Sequence, residues 1–242
     1  MFSCLLYAGI AIAQTVAPSP DAMAQQLADS QKRLADWPQL ARYRDDNAAL
    51  PAPKRGEARV VFMGDSITDF WGRGTGTFFP GKPYVNRGIS GQTTPQMLVR
   101  FRPDVIALKP RVVVILAGTN DIAGNTGPST LGMIEDNLAS MADLARANHI
   151  EVVLASVTPV NDYDQPDQTK HRPPEKIVAL NAWIKAYAQR ERIVNIDYYP
   201  ALLDADKSLR RDFSADGLHP NAAGYAVMAT LAQRAIEQAL AH

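Results

Sequence analysis

From Arg59 onward, five short apolar runs alternate with segments of helical spacing, and no other feature constrains the fold as much. The runs are VVFM (60–63), YVNRG (84–88), VVVILAG (112–118), EVVLASV (151–157) and IVNIDY (193–198). The third and fourth are nearly continuous in β-branched and apolar residues, as strands covered on both faces should be. Helical segments are predicted between and after them, over residues 94–101, 130–148, 174–192 and 222–241. Leu131, Ile134, Leu138, Met141, Leu144 and Ala145 form one apolar stripe at helical period. Pro103 and Pro110 punctuate the approach to the third run. Strand–helix–strand alternation predicts a parallel sheet sandwiched by helices and joined by right-handed crossovers.

Upstream, residues 21–50 carry helical spacing through Met23, Leu27, Leu34, Leu40, Tyr43 and Leu50, interrupted at Asp36-Trp37-Pro38. The first residues, MFSCLLYAGIAIAQ, have the pattern of a secretory signal peptide: an apolar stretch ends in Ala11-Ile12-Ala13, with cleavage expected before Gln14. That stretch is too short to span a bilayer as a permanent helix. The expected organisation is a signal peptide at 1–13, a linker and helical extension at 14–58, and the α/β domain at 59–242, in a periplasmic or secreted protein. Cys4 is the single cysteine, so cleavage would leave none, which suits an oxidising compartment. Twenty-five basic residues balance twenty-five acidic ones, so no global field steers the chain to nucleic acid or anionic membrane.

In an open parallel sheet, ligands bind outside the carboxyl ends of the strands, and those ends can be read directly. They carry Gly64-Asp65-Ser66, Asn86-Arg87-Gly88-Ile89-Ser90-Gly91, Gly118-Thr119-Asn120-Asp121 and Thr158-Pro159-Val160-Asn161-Asp162. Ser214-Ala215-Asp216-Gly217-Leu218-His219-Pro220-Asn221 precedes the last helix. Hydroxyl, amide, imidazole and carboxylate groups thus gather on one edge, and the chemistry they suit is acyl transfer. A serine hydroxyl needs a base within hydrogen-bond reach. His219 is the best placed histidine, and Asp216 at i, i+3 can fix its tautomer and stabilise its imidazolium. His149 falls on the opposite edge, His171 lies in the polar loop after the fourth run, and His242 is terminal. The Ser66 and Gly88 N–H groups and the Asn120 side-chain amide could converge on an oxyanion if the first three strands are neighbours. Each short motif alone also reads as ordinary cap or turn chemistry; it is the set, in order and at strand ends, that carries the reading.

With MGDSIT, NRGISGQTT, GTNDI and DGLHPN in that order, the sequence resembles the SGNH hydrolase or GDSL esterase/lipase family, from about Arg59 to the C-terminal helix. The GDSIT and GTNDI forms resemble the subgroup of platelet-activating-factor acetylhydrolase-like acylhydrolases. The resemblance implies a flavodoxin-like α/β/α sandwich around a five-stranded parallel sheet, here with an N-terminal helical extension. It implies Ser66 as nucleophile, His219 as base, Asp216 as its orienter, and Ser66, Gly88 and Asn120 as the oxyanion hole. No metal or organic cofactor is implied. Asp65, Asp69, Trp71 and His171 are candidate substrate contacts, although Trp71 equally suits packing beneath the first helix. The expected activity is hydrolysis of short-acyl carboxylic esters through an acyl-enzyme, acetyl groups on carbohydrate included. The loop at 158–174 is long and polar and carries His171, which favours a polar alcohol moiety. A thioesterase or lysophospholipase using the same machinery is the alternative within enzymes, and a non-catalytic binding protein is the alternative outside them.

Overall fold

The structure, a computed structural model, describes residues 19–241. The signal-peptide reading, with Cys4 and the junction before Gln14, lies outside the described residues. The chain divides into two compact units, one ending at Trp37 and the other beginning at Pro38.

In the first unit, α1 (Pro20–Ala35) begins at Ser19, whose hydroxyl accepts from the Ala22 N–H, with Pro20 at the first helical position. The second unit opens with the short α2 (Arg44–Ala49). Then follow β1 (Val60–Gly64), α3 (Ser66–Asp69), β2 (Tyr84–Gly88), α4 (Thr94–Asp104), β3 (Val112–Leu116), α5 (Thr119–Ile122) and α6 (Leu131–Ala147). The chain finishes with β4 (Glu151–Ala155), α7 (Gln168–His171), α8 (Pro174–Glu191), β5 (Val194–Ile196), α9 (Tyr198–Ala201) and α10 (Ala222–Leu240). All strand pairs are parallel and the order is β2-β1-β3-β4-β5, the flavodoxin-like order expected.

Along β1 and β3 the side chains alternate between two apolar layers. Val61, Met63, Val113 and Ile115 pack on the side of Ile134, Leu138, Met141, Leu180 and Ile184 from α6 and α8. Val60, Phe62, Val112, Val114 and Leu116 pack on the side of Tyr225, Met228, Ala232 and Ile236 from α10. Each such buried aliphatic side chain contributes about 1.5–3 kcal/mol, and covering both faces is what makes these strands uniformly apolar.

The third, fourth and fifth strands are shorter than their apolar runs suggest. Ala117-Gly118, Ser156-Val157 and Asp197-Tyr198 belong to the turns that leave the sheet, and all of them but the exposed Asp197 are buried. After Ser66 the chain makes a single helical turn that ends at Asp69, and Trp71 then bridges to Thr75. Residues 38–58, grouped in sequence with the extension, fold with the sheet. Tyr43 is fully buried and donates to the Gly88 carbonyl, and Asn47 bonds Asp104 and Arg87. No described helix is long and apolar enough to cross a membrane.

Candidate active site

Strand β1 is buried along its whole length and delivers Ser66 to its carboxyl end. Asp65 caps the turn that follows, its Oδ1 accepting from the Ile67 N–H at 2.9 Å. The Tyr225 hydroxyl donates to the Ile67 carbonyl at 2.7 Å and pins this turn to α10. Ser66 is the first residue of the turn, where a backbone N–H has no intrahelical acceptor and is available to a ligand.

Across the cleft, the Ser66 Oγ lies 2.9 Å from His219 Nε2, and His219 Nδ1 lies 2.6 Å from Asp216 Oδ2. An ionised carboxylate only accepts, so Nδ1 carries the proton and Nε2 is left to accept from the serine. Burial pulls the Asp216 carboxyl upward, but bonds from the His219 ring and from the His219 and Leu218 amides outweigh it and hold the group below the usual carboxylate range. The turn is closed by Gly217 at φ +80, where a Cβ would meet the Asn161 carbonyl oxygen at 2.0 Å. Antiparallel bridging of Ser214 with Pro220 fastens its two ends. The Phe70 ring stands 5.0 Å from the His219 ring and is 37% exposed, giving the cleft one apolar wall. A hydroxyl bonded to an oriented imidazole can attack a carbonyl carbon while the ring takes its proton.

The expected oxyanion donors do not all converge. Gly88 is buried in β2, and its N–H donates to Asn86 Oδ1 at 2.9 Å. Its missing side chain serves packing instead, since a Cβ there would lie 2.1 Å from the Asp69 amide nitrogen. Three residues on, Gly91 is exposed, has φ +79, and meets no atom closer than Asn125 Nδ2 at 3.9 Å from an added Cβ. The loop around it reaches Asn120, whose Nδ2 donates to the Gln92 carbonyl at 3.1 Å. Arg100, fully buried, holds that loop to the sheet: its Nε donates to Gln92 Oε1 at 2.5 Å and its Nη2 to the Gly64 carbonyl at 3.0 Å.

Of the four candidate substrate contacts, three face elsewhere. Asp65 is 1% exposed beneath the turn. Burial pushes its carboxyl up to about 7, with Asp121 adding to the rise and the Ile67 amide and Arg172 opposing it. Asp69 is occupied by Ser90, which donates from N and Oγ at 3.2 and 2.8 Å, and by Arg73 Nη1 at 2.6 Å. Trp71 is 2% exposed within a ring cluster of Phe62, Phe78, Phe79 and Tyr225, its Nε1–H donating to the Thr77 carbonyl. The packing alternative therefore describes it. His171 ends α7 and is exposed.

Besides Gly91, sequence reasoning missed the residue after His171, Arg172. It is buried, and its Nη2 donates to Asn120 Oδ1 at 3.3 Å. An arginine in a polar loop gives no sequence signal of burial. Among the described residues, no group of three or more His, Cys, Asp or Glu is gathered to hold a metal ion.

A GDSL-like lipase from Bacteroides thetaiotaomicron is 45% identical to this chain, with a TM-score of 0.78, 84% of this chain and 98% of that one being covered. The esterase TesA of Pseudomonas aeruginosa is 31% identical over 136 residues, which are 56% of this chain and 60% of that protein. An acetylxylan esterase of Geobacillus stearothermophilus is 37% identical over 87 residues, 26% of this chain and 40% of the other. The chain thus spans less than two thirds of the length of these two esterases. The sequence model of the GDSL-like lipase/acylhydrolase family matches residues 62–227, a stretch that includes every residue of the cleft described above. On that match the chain belongs to the GDSL-like lipase/acylhydrolase family, a family of carboxylic ester hydrolases.

Proposed function

We propose that this protein is a serine esterase that hydrolyses short-acyl carboxylic esters through an acyl-enzyme on Ser66. The observation that carries the reading is the unbroken hydrogen-bonded chain from Ser66 through His219 to Asp216. The Ser66 Oγ attacks the ester carbonyl as His219 Nε2 takes its proton. The tetrahedral oxyanion draws on the Ser66 N–H, the Asn120 Nδ2–H and, in place of Gly88, the Gly91 N–H, because the Gly88 amide is buried and occupied while Gly91 is open to the cleft loop. Collapse of the intermediate breaks the ester C–O bond, and His219 returns the proton to the departing alcohol. Water then attacks the acyl-enzyme by the same route, His219 acting as base again.

The alcohol we assign is a polar one such as a sugar, and the acyl group an acetyl or similarly short chain. The exposed polar groups of Ser90 and Asn125 near Gly91 support this, as does the likeness to an acetylxylan esterase. We assign residues 1–13 as a signal peptide that directs export of the chain. Mass determination of the mature N-terminus checks it, Gln14 being the expected first residue.

The test of the chemistry is p-nitrophenyl acetate hydrolysis by the wild type and Ser66→Ala. Loss of turnover in the variant is expected, and equal rates would remove Ser66 from the mechanism. A p-nitrophenyl ester series should peak at short chains; rates rising steadily with acyl length would overturn the substrate assignment.

A further inference from the structure

We infer that Arg172 is a positioning residue for acyl transfer, which locks the Asn120 amide and supplies positive potential behind the oxyanion. The inference rests on Asn120 being an oxyanion donor, as proposed above.

Arg172 follows α7 in the connection from β4 to α8 and is 9% exposed. Its Nη1 donates to Gln168 Oε1 at 2.7 Å and its Nη2 to Asn120 Oδ1 at 3.3 Å, while Nε is buried with no hydrogen-bond partner among the described residues. Asp65 and Asp216 attract it from beyond ion-pair distance. A guanidinium stays protonated in proteins, and burying a charge without a closely paired opposite charge is unfavourable by several kcal/mol. A negative charge forming next to Asn120 in the transition state supplies what the resting site lacks. An interaction of that kind strengthens only as the reaction proceeds, which is what accelerates a chemical step.

The same contact fixes the amide. Guanidinium offers donors and no acceptor, so the Asn120 atom facing Arg172 has to be Oδ1. The Gln92 carbonyl only accepts, so the atom facing it has to be Nδ2. With both ends specified, the carboxamide cannot turn over. One Nδ2 proton is held by Gln92, and the other is left for the substrate oxygen.

The experiment is a double-mutant cycle on p-nitrophenyl acetate hydrolysis by the full chain, using wild type, Arg172→Gln, Asn120→Ala and the pair. Arg172→Gln is expected to lower kcat about tenfold with KM nearly unchanged, less than the roughly hundredfold loss of removing a donor outright. In the Asn120→Ala background the same substitution should lower kcat by only about threefold, because the amide it locks is gone while its positive potential behind the oxyanion remains. Equal losses in the two backgrounds, an unchanged kcat, or a change confined to KM would overturn the inference. Arg172→Lys keeps the cation and loses the fork; its kcat should fall between wild type and Arg172→Gln, and it completes the cycle if the Gln variant melts below the assay temperature. Turnover surviving in Ser66→Ala would instead sink the acyl-enzyme reading, whatever Arg172 does.

Discussion

Asp65→Asn should make this protein more stable at neutral pH, and the gain should itself depend on pH. Asp65 is 1% exposed, and the Ile67 amide donates to its Oδ1. Burial moves the folded-state pKa from an ordinary 3.8 to about 7. That gap of about three pH units corresponds to about 4 kcal/mol. A folded pKa above the unfolded one means the native state keeps a proton that the unfolded chain releases. The favourable contribution is therefore complete below about pH 4, is lost progressively up to about pH 7, and changes no further above that. Asparagine keeps an oxygen for the Ile67 amide and does not titrate. The variant and wild type should have similar melting temperatures near pH 4, and the variant should be higher by about 8–16 °C at pH 8, taking about 2–4 °C per kcal/mol for a chain of this size. Melting followed by circular dichroism at half-unit pH steps measures this. The subtraction removes every other titrating group common to both proteins. A difference that stays constant from pH 4 to 8 would refute the reasoning.

Two further outcomes follow from the cleft and its supports. Gly217→Ala places a β-carbon against the Asn161 backbone at a positive φ, a conformation that alone is unfavourable by about 1–2 kcal/mol for alanine; kcat should fall at least about tenfold as His219 shifts from Ser66, and steady-state rates within twofold of wild type would contradict it. Tyr43→Phe removes the hydroxyl that donates to the Gly88 carbonyl and accepts from Arg73 Nη1; the loss should be about 1–3 kcal/mol, read as a lower midpoint in urea denaturation.

The sheet and its reactive edge were legible because the signals are local. A parallel strand buried on both faces has to be apolar throughout, and polar groups at strand ends have to face the crevice, so Ser66, Asn120, Asp216 and His219 could be read in order. What was not legible depends on side chains that fold back. Nothing in NRGISG says that Asn86 turns its carboxamide onto the Gly88 amide and so moves the open glycine three residues along. Asp65 reads equally as a cap or a ligand, and only its depth under α3 decides. Trp71 follows the nucleophile closely enough to reach a substrate, yet the phenylalanines at 62, 78 and 79 and Tyr225 enclose it. Arg172 sits in a charged loop, where burial of a cation is the least expected outcome.

Ser66 and His219, the proposed nucleophile and base, are 153 residues apart in the chain, with β1 just ahead of Ser66 and β2 to β5 lying between the two. On the proposed mechanism, a ribosome that has released all five strands has still made a chemically silent protein, because Ser66 gains its base only when the turn at 216–219 docks. On that mechanism ester cleavage reports docking of the 216–219 turn, which assembly of the sheet alone does not supply.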